Sequence, residues 1–127
     1  MNLLLQSKRR LALNRKKPLW LRKKQKEVRW LEKGGMPLGV MEKINIKDHQ
    51  IEMAVGDEIV MYTDGVTEGK SKEGEFFGEE RLYNVLNAYK KNSSRRLVDL
   101  IDEKLLKFQG SEAPSDDVTI LIIKRVN

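Results

Sequence analysis

No cysteine occurs among the 127 residues, and histidine occurs once, as His49. Disulfides, iron–sulfur clusters and thiolate zinc sites are thereby excluded, and one imidazole cannot assemble a typical zinc site. Aromatic residues are scarce, at 6%, and there are only three prolines. No apolar run approaches the ~20 residues that cross a bilayer. The amino end, MNLLLQSKRR, has leucines but no extended apolar stretch or small-residue cleavage site, so a secretory signal is not expected. The expectation is a cytoplasmic protein with no membrane partner.

What is present suffices for one small domain with a buried core: 39% of residues are apolar and 35% charged. The net charge of +6 is unevenly placed, because residues 1–33 carry 12 Lys/Arg against 2 Glu, and the remainder carries 13 against 17 acids. Lysine-rich stretches are usually solvated charge, and Trp20 and Trp30 suit a sheet core better than base stacking. Nucleic acid is therefore not the expected partner.

Residues 1–17 are a basic segment of no clear periodicity, and the domain is expected over 18–127. Leu19 to Leu21, a charged turn at Arg22 to Lys26, and Val28 to Leu31 predict a β-hairpin. Gly34, Gly35 and Pro37 mark a loop. Gln50 to Val55 alternates and predicts a strand, Gly56-Asp57 a turn, and Glu58 to Thr63 a strand buried on both faces. Glycines and charges make 64–78 a loop. Leu82, Val85, Leu86 and Tyr89 form the stripe of a helix over 79–91, with Lys90 and Lys91 at its end. A second helix, capped by Ser93 or Ser94, carries Leu97, Val98, Ile101, Leu105 and Phe108 on one face. Val118 to Ile123 predicts a last strand. Strands, then helices, then a strand imply an α+β fold of antiparallel sheet with flanking helices.

Two acidic positions fall where strands meet loops. Asp64 follows IVMYT and precedes Gly65, while Asp116-Asp117 precede VTILII. Taken alone, Asp-Gly is a common turn pair and Asp116-Asp117 could be solvated loop charge. Carboxylates brought together on neighbouring strand ends repel unless a cation lies between them. Oxygen-only donors suit hard ions such as magnesium or manganese.

The longer context is more specific. GDEIVMYTDGVTEGKSKEGEFFGEERL at 56–82, SDDVTILII at 115–123 and GGMPLGV at 34–40 resemble the SpoIIE/RsbU branch of the metal-dependent protein phosphatases, relatives of protein phosphatase 2C. The resemblance covers roughly residues 18–127 and implies the carboxyl part of an α/β sandwich of two antiparallel sheets with a two-metal centre. It further implies a hydrolase that removes phosphate from phosphoserine or phosphothreonine on a bacterial signalling protein, of the anti-sigma-factor antagonist type, with Mn2+ or Mg2+. Asp64 and Asp116 match the family's metal-binding aspartates. Gly65, Asp117 and Thr119 match supporting positions.

Two family segments have no counterpart here, the Asp-x-Ser-Gly-His-Gly whose aspartate bridges both metals and an Asn-Ala-Gly-His. The expectation is an incomplete or impaired catalyst, or else a non-catalytic interaction module. Exposed sheet is expected to be covered by self-association or by a partner subunit.

Overall fold

Two tryptophans ten positions apart meet across a hairpin, and the sheet is built outward from that pair. The computed structural model describes residues 19–24, 27–31, 42–43, 50–110 and 117–127. Strand β1 (Leu19–Arg22) runs antiparallel to β2 (Val28–Trp30) with Trp20 opposite Trp30. Their rings pack edge to face at a centroid distance of 4.4 Å, the arrangement that the aromatic quadrupole favours.

On its other side β1 pairs with β3 (Glu58–Tyr62), placing Trp20 opposite Val60, and β3 pairs with β4 (Ile120–Lys124), placing Val60 opposite Ile122. All three pairings are antiparallel, and the strand order is β2-β1-β3-β4. Helix α1 (Asp64–Thr67) is a single turn after β3, and α2 (Gly78–Ala88) and α3 (Ser94–Gln109) cover one face of the sheet.

Side chains alternate across a strand, so Trp20, Val60, Tyr62 and Ile122 share the helix-facing side. There they meet Leu82 and Leu86 of α2 and Leu97, Ile101 and Leu105 of α3. Burying each such leucine contributes about 1.5–3 kcal/mol, which makes this interface a main source of stability. Ser93 caps α3, its hydroxyl accepting from the Arg96 amide at 3.2 Å. The expected α+β class is what is observed. On the opposite face Ile59 and Met61 are half-buried, while Leu121 and Ile123 are exposed at 50% and 48%.

Several local expectations need correction. Arg22 is not a turn residue but the buried end of β1. Its Nη1 donates to Glu58 Oε2 at 2.6 Å, its Nε to the Leu86 carbonyl at 3.2 Å, and its Nη2 to the Tyr89 carbonyl. The guanidinium thus neutralises a buried carboxylate and satisfies carbonyls at the end of α2. Ser94 Oγ donates to the other oxygen of Glu58 at 2.7 Å.

Residues 50–55 form no strand, and Ile51 and Val55 are exposed. Their backbone groups are taken up outside any ladder: the Ala54 amide donates to Asp57 Oδ2 at 2.9 Å, and Arg125 Nη1 donates to the Met53 carbonyl. The first long helix ends at Ala88, before Lys90 and Lys91, and the last strand begins at Ile120. The segment 64–78 is not all loop, since it contains α1 and an antiparallel bridge between Lys70 and Phe76.

The basic segment 1–17, the glycine-rich stretch 34–40, His49 and Asp116 lie outside the described residues. Among the described residues no helix is long and apolar enough to cross a membrane.

Candidate functional site

Strand β3 ends at a point where the chain must leave the sheet without releasing β4. Thr63 is still extended, with φ −91° and ψ 162°, and Asp64 opens the single turn of α1. The Val66 amide donates to the Thr63 carbonyl at 3.0 Å and the Glu68 amide to the Asp64 carbonyl at 2.8 Å. Asp64, Gly65 and Val66 are all buried, Asp64 at 5% exposure. A buried aspartate on a turn that hydrogen bonds pin at both ends has little freedom to move.

The segment Asp117-Val118-Thr119 enters β4 beside this turn. The Thr63 amide donates to the Thr119 carbonyl at 3.0 Å. The Thr63 hydroxyl accepts from the Thr119 amide at 3.0 Å and donates to the Asp117 carbonyl at 3.1 Å. Gly65 completes the contact. A Cβ built on it would lie 2.8 Å from the Asp117 carbonyl carbon, nearer still to its oxygen, and 3.3 Å from the Val118 nitrogen. Only glycine lets the two backbones approach this closely.

Of the residues singled out by sequence, the structure brings Asp64, Gly65, Asp117 and Thr119 to one end of the β3–β4 pair. Asp116 lies outside the described residues, so its separation from Asp64 is not described. Thr119 takes part through its backbone, and its side chain is exposed. Among the described residues no three acidic or histidine side chains gather in a group able to hold a metal ion.

Sequence reading overlooked three neighbours. Thr63 is one, and its position between a buried strand and an Asp-Gly pair was the available signal. Tyr62 and Trp20 are the others, with Trp20 Nε1 donating to the Tyr62 hydroxyl at 3.2 Å. Burial pushes the Tyr62 phenol well above its ordinary value. The Trp20 hydrogen bond opposes the shift, and the charges of Glu79 and Asp64 add to it. The phenol therefore stays neutral and able to donate, beside the acidic end of the sheet.

A second acidic pair, Asp57-Glu58, sits at the opposite end of β3. Glu58 is the partner of Arg22, and Asp57 accepts from Lys23 Nζ at 2.9 Å, the Lys24 amide at 3.0 Å and the Ala54 amide at 2.9 Å. Burial works to raise the Asp57 pKa, but the hydrogen bonds and the Lys23 charge outweigh it and hold the carboxyl below its ordinary 3.8. Both acids are matched by basic side chains, which assigns this pair to stability.

Comparison with known proteins identifies the family. The family model described as Stage II sporulation protein E (SpoIIE) matches residues 11–126. The phosphoserine phosphatase RsbU of Bacillus subtilis is 30% identical over 95 residues, which is 75% of this chain and 28% of RsbU. Protein IcfG of Synechocystis is 28% identical over 95 residues, 75% of this chain and 15% of IcfG. Among solved structures, the SiaA-PP2C domain of Pseudomonas aeruginosa superposes with a TM-score of 0.67 at 19% identity, covering 86% of this chain and 43% of that one. The PP2C phosphatase domain of SpoIIE from Bacillus subtilis, with a fragment of its regulatory domain, gives 0.64 at 21% identity, covering 85% and 31%. The chain thus spans less than a third of these two curated relatives. Its sequence match and its sheet-and-helix architecture agree: the chain belongs to the SpoIIE family, in the SpoIIE/RsbU branch of the PP2C-like phosphatases.

Proposed function

We propose that this chain supplies the Asp64/Asp116 side of a divalent-cation-dependent protein phosphatase site that hydrolyses phosphoserine or phosphothreonine on a signalling protein. One observation carries the reading: the Gly65 backbone lies directly against the Asp117 carbonyl, so the Asp64 turn and the acidic loop before β4 share one end of the sheet. The donor chemistry fits a hard ion, because this end offers carboxylate, carbonyl and hydroxyl oxygen, and no thiol exists in the chain.

Asp64 and Asp116 are the proposed ligands for Mn2+ or Mg2+, and Gly65, Asp117 and Thr119 the proposed supports. When bound, such an ion supplies an acidified water and positive charge for the phosphoryl oxygens. The chain's own residues hold the loops at fixed spacing, bury Asp64, and keep a neutral Tyr62 nearby.

The second reading is a non-catalytic module that binds a signalling protein, and the apolar side chains of Leu121 and Ile123, exposed on the sheet face away from the helices, support it. The half-exposed face of Ile59, Met61, Leu121 and Ile123 is where a partner subunit or a second copy would pack in either reading.

Titrating Mn2+ into the chain and into Asp64→Asn, followed by the EPR signal of the free ion, tests the site. Wild type is expected to bind, and the variant to lose more than the roughly 10–100-fold that loss of a supporting residue costs. Equal binding by both proteins sinks the assignment. Mn2+-dependent hydrolysis of an aryl phosphate separates the readings: turnover that the variant lacks supports an enzyme, and none by either supports the interaction module.

A further inference from the structure

The β3–β4 ladder continues one rung beyond its last strand pair by an unusual substitution. Tyr62 opposes Ile120, so Thr63 opposes Thr119, and the Thr63 amide donates to the Thr119 carbonyl at 3.0 Å. In an ordinary antiparallel pair the Thr119 amide would return the bond to the Thr63 carbonyl. That carbonyl instead accepts from the Val66 amide, the bond that starts the α1 turn. The Thr119 amide is served by the Thr63 hydroxyl oxygen at 3.0 Å, and the hydroxyl proton goes to the Asp117 carbonyl at 3.1 Å. One side chain thereby lets the backbone leave the sheet while keeping its grip on the neighbouring strand.

We infer that Thr63 is a positioning residue, whose hydroxyl sets the spacing between the Asp64 turn and the acidic loop before β4 and so sets this end's affinity for a divalent cation. The inference rests on the metal-site reading above. A hydroxyl suits the task because it is donor and acceptor at once, so the same atom holds Asp117 and Thr119, two residues apart. Without it, the Thr119 amide and the Asp117 carbonyl each lose the partner that ties them to β3. Beyond Tyr62 the bond from the Thr63 amide to the Thr119 carbonyl and the Gly65 contact would remain. Ligand separations matter on the scale of about half an ångström, so slack of this kind reads out as affinity.

The test uses the full chain and three variants. Thr63→Val keeps the branched shape and removes the hydroxyl, Thr63→Ala removes both, and Thr63→Ser keeps the hydroxyl. Mn2+ affinity is measured by EPR well below each protein's melting temperature, with hydrogen exchange at the Thr119 and Ile123 amides as a second readout. Thr63→Val and Thr63→Ala are expected to bind Mn2+ about 10–100-fold more weakly, as loss of a ligand-orienting group does. Both should also exchange the Thr119 amide faster with Ile123 unchanged, and Thr63→Ser should match the wild type in both measurements. Should either deletion fail to fold, the other and the serine rescue still decide. Undiminished Mn2+ affinity in a folded hydroxyl deletion overturns the inference and leaves the metal site standing, since a merely structural threonine would lower only the melting temperature. A wild-type chain that binds no Mn2+ overturns the metal-site reading and this inference with it.

Discussion

At the start of β3, Asp57 and Glu58 are gripped by Lys23 and Arg22, whereas at its far end Asp64 and Asp117 ride on loops that a hydroxyl and a glycine hold together. The strand is five residues long, so both arrangements lie within one small sheet. The first end spends its charges on one another and on helix carbonyls, which locks α2 and α3 to the sheet. The second end is organised by backbone contacts and the Thr63 hydroxyl, and it carries the carboxylate proposed above as a cation ligand. Acidic residues at the two ends of one strand can thus sit in different settings, and the neighbouring polar groups tell them apart.

The largest effect expected of breaking this contrast is at the first end. Arg22→Met leaves Glu58 buried with Ser94 but without its counter-charge, and should cost about 3–5 kcal/mol in denaturant unfolding. Adding Glu58→Met should recover much of that loss, because a buried pair replaced by apolar volume is often neutral or stabilising. Neither change should alter Mn2+ affinity in the folded protein.

Gly65→Ala should show the reverse profile. The added methyl must displace the Asp117 backbone, which costs about 1–3 kcal/mol in unfolding free energy. Mn2+ binding should weaken with it, and unchanged affinity would show that the spacing of the loops is immaterial.

The smallest effect concerns pH. Lys23 is about a third exposed, at 32% of its side chain, so water screens its pairing with Asp57. The folded carboxyl lies below its ordinary 3.8, so its contribution is present above that value and is lost as pH falls through the depressed one. The melting-temperature gap between wild type and Asp57→Asn should therefore narrow on acidification below pH 3.8. A gap that stays constant would show that the ionised form is not what matters.

What could be read in advance was whatever rests on local periodicity. The hairpin from Leu19 to Trp30, the α3 stripe of Leu97, Ile101 and Leu105, and the Ser93 cap are set by residues close in sequence. Arg22 was misread because its partners Glu58, Leu86 and Tyr89 lie 36, 64 and 67 residues away. Ile51, Met53 and Val55 alternate like a strand, yet their backbone is captured by Asp57 and Arg125, which no local pattern reveals. At the candidate site, Asp64 and Gly65 were legible as a strand end followed by a permissive residue. The role of Thr63 was not, because it depends on where Thr119 and Asp117 arrive.

That arrival bears on the order in which the molecule can be made. Thr63 and its two partners stand 54 and 56 positions apart, and β4 follows both long helices in the chain. A ribosome releases residues from the amino end first, so the hairpin, the third strand and both long helices are in hand before Asp117 emerges. The acidic end of the sheet is completed only when β4 arrives, and a nascent chain halted before β4 would carry Asp64 without the Gly65–Asp117 contact beside it.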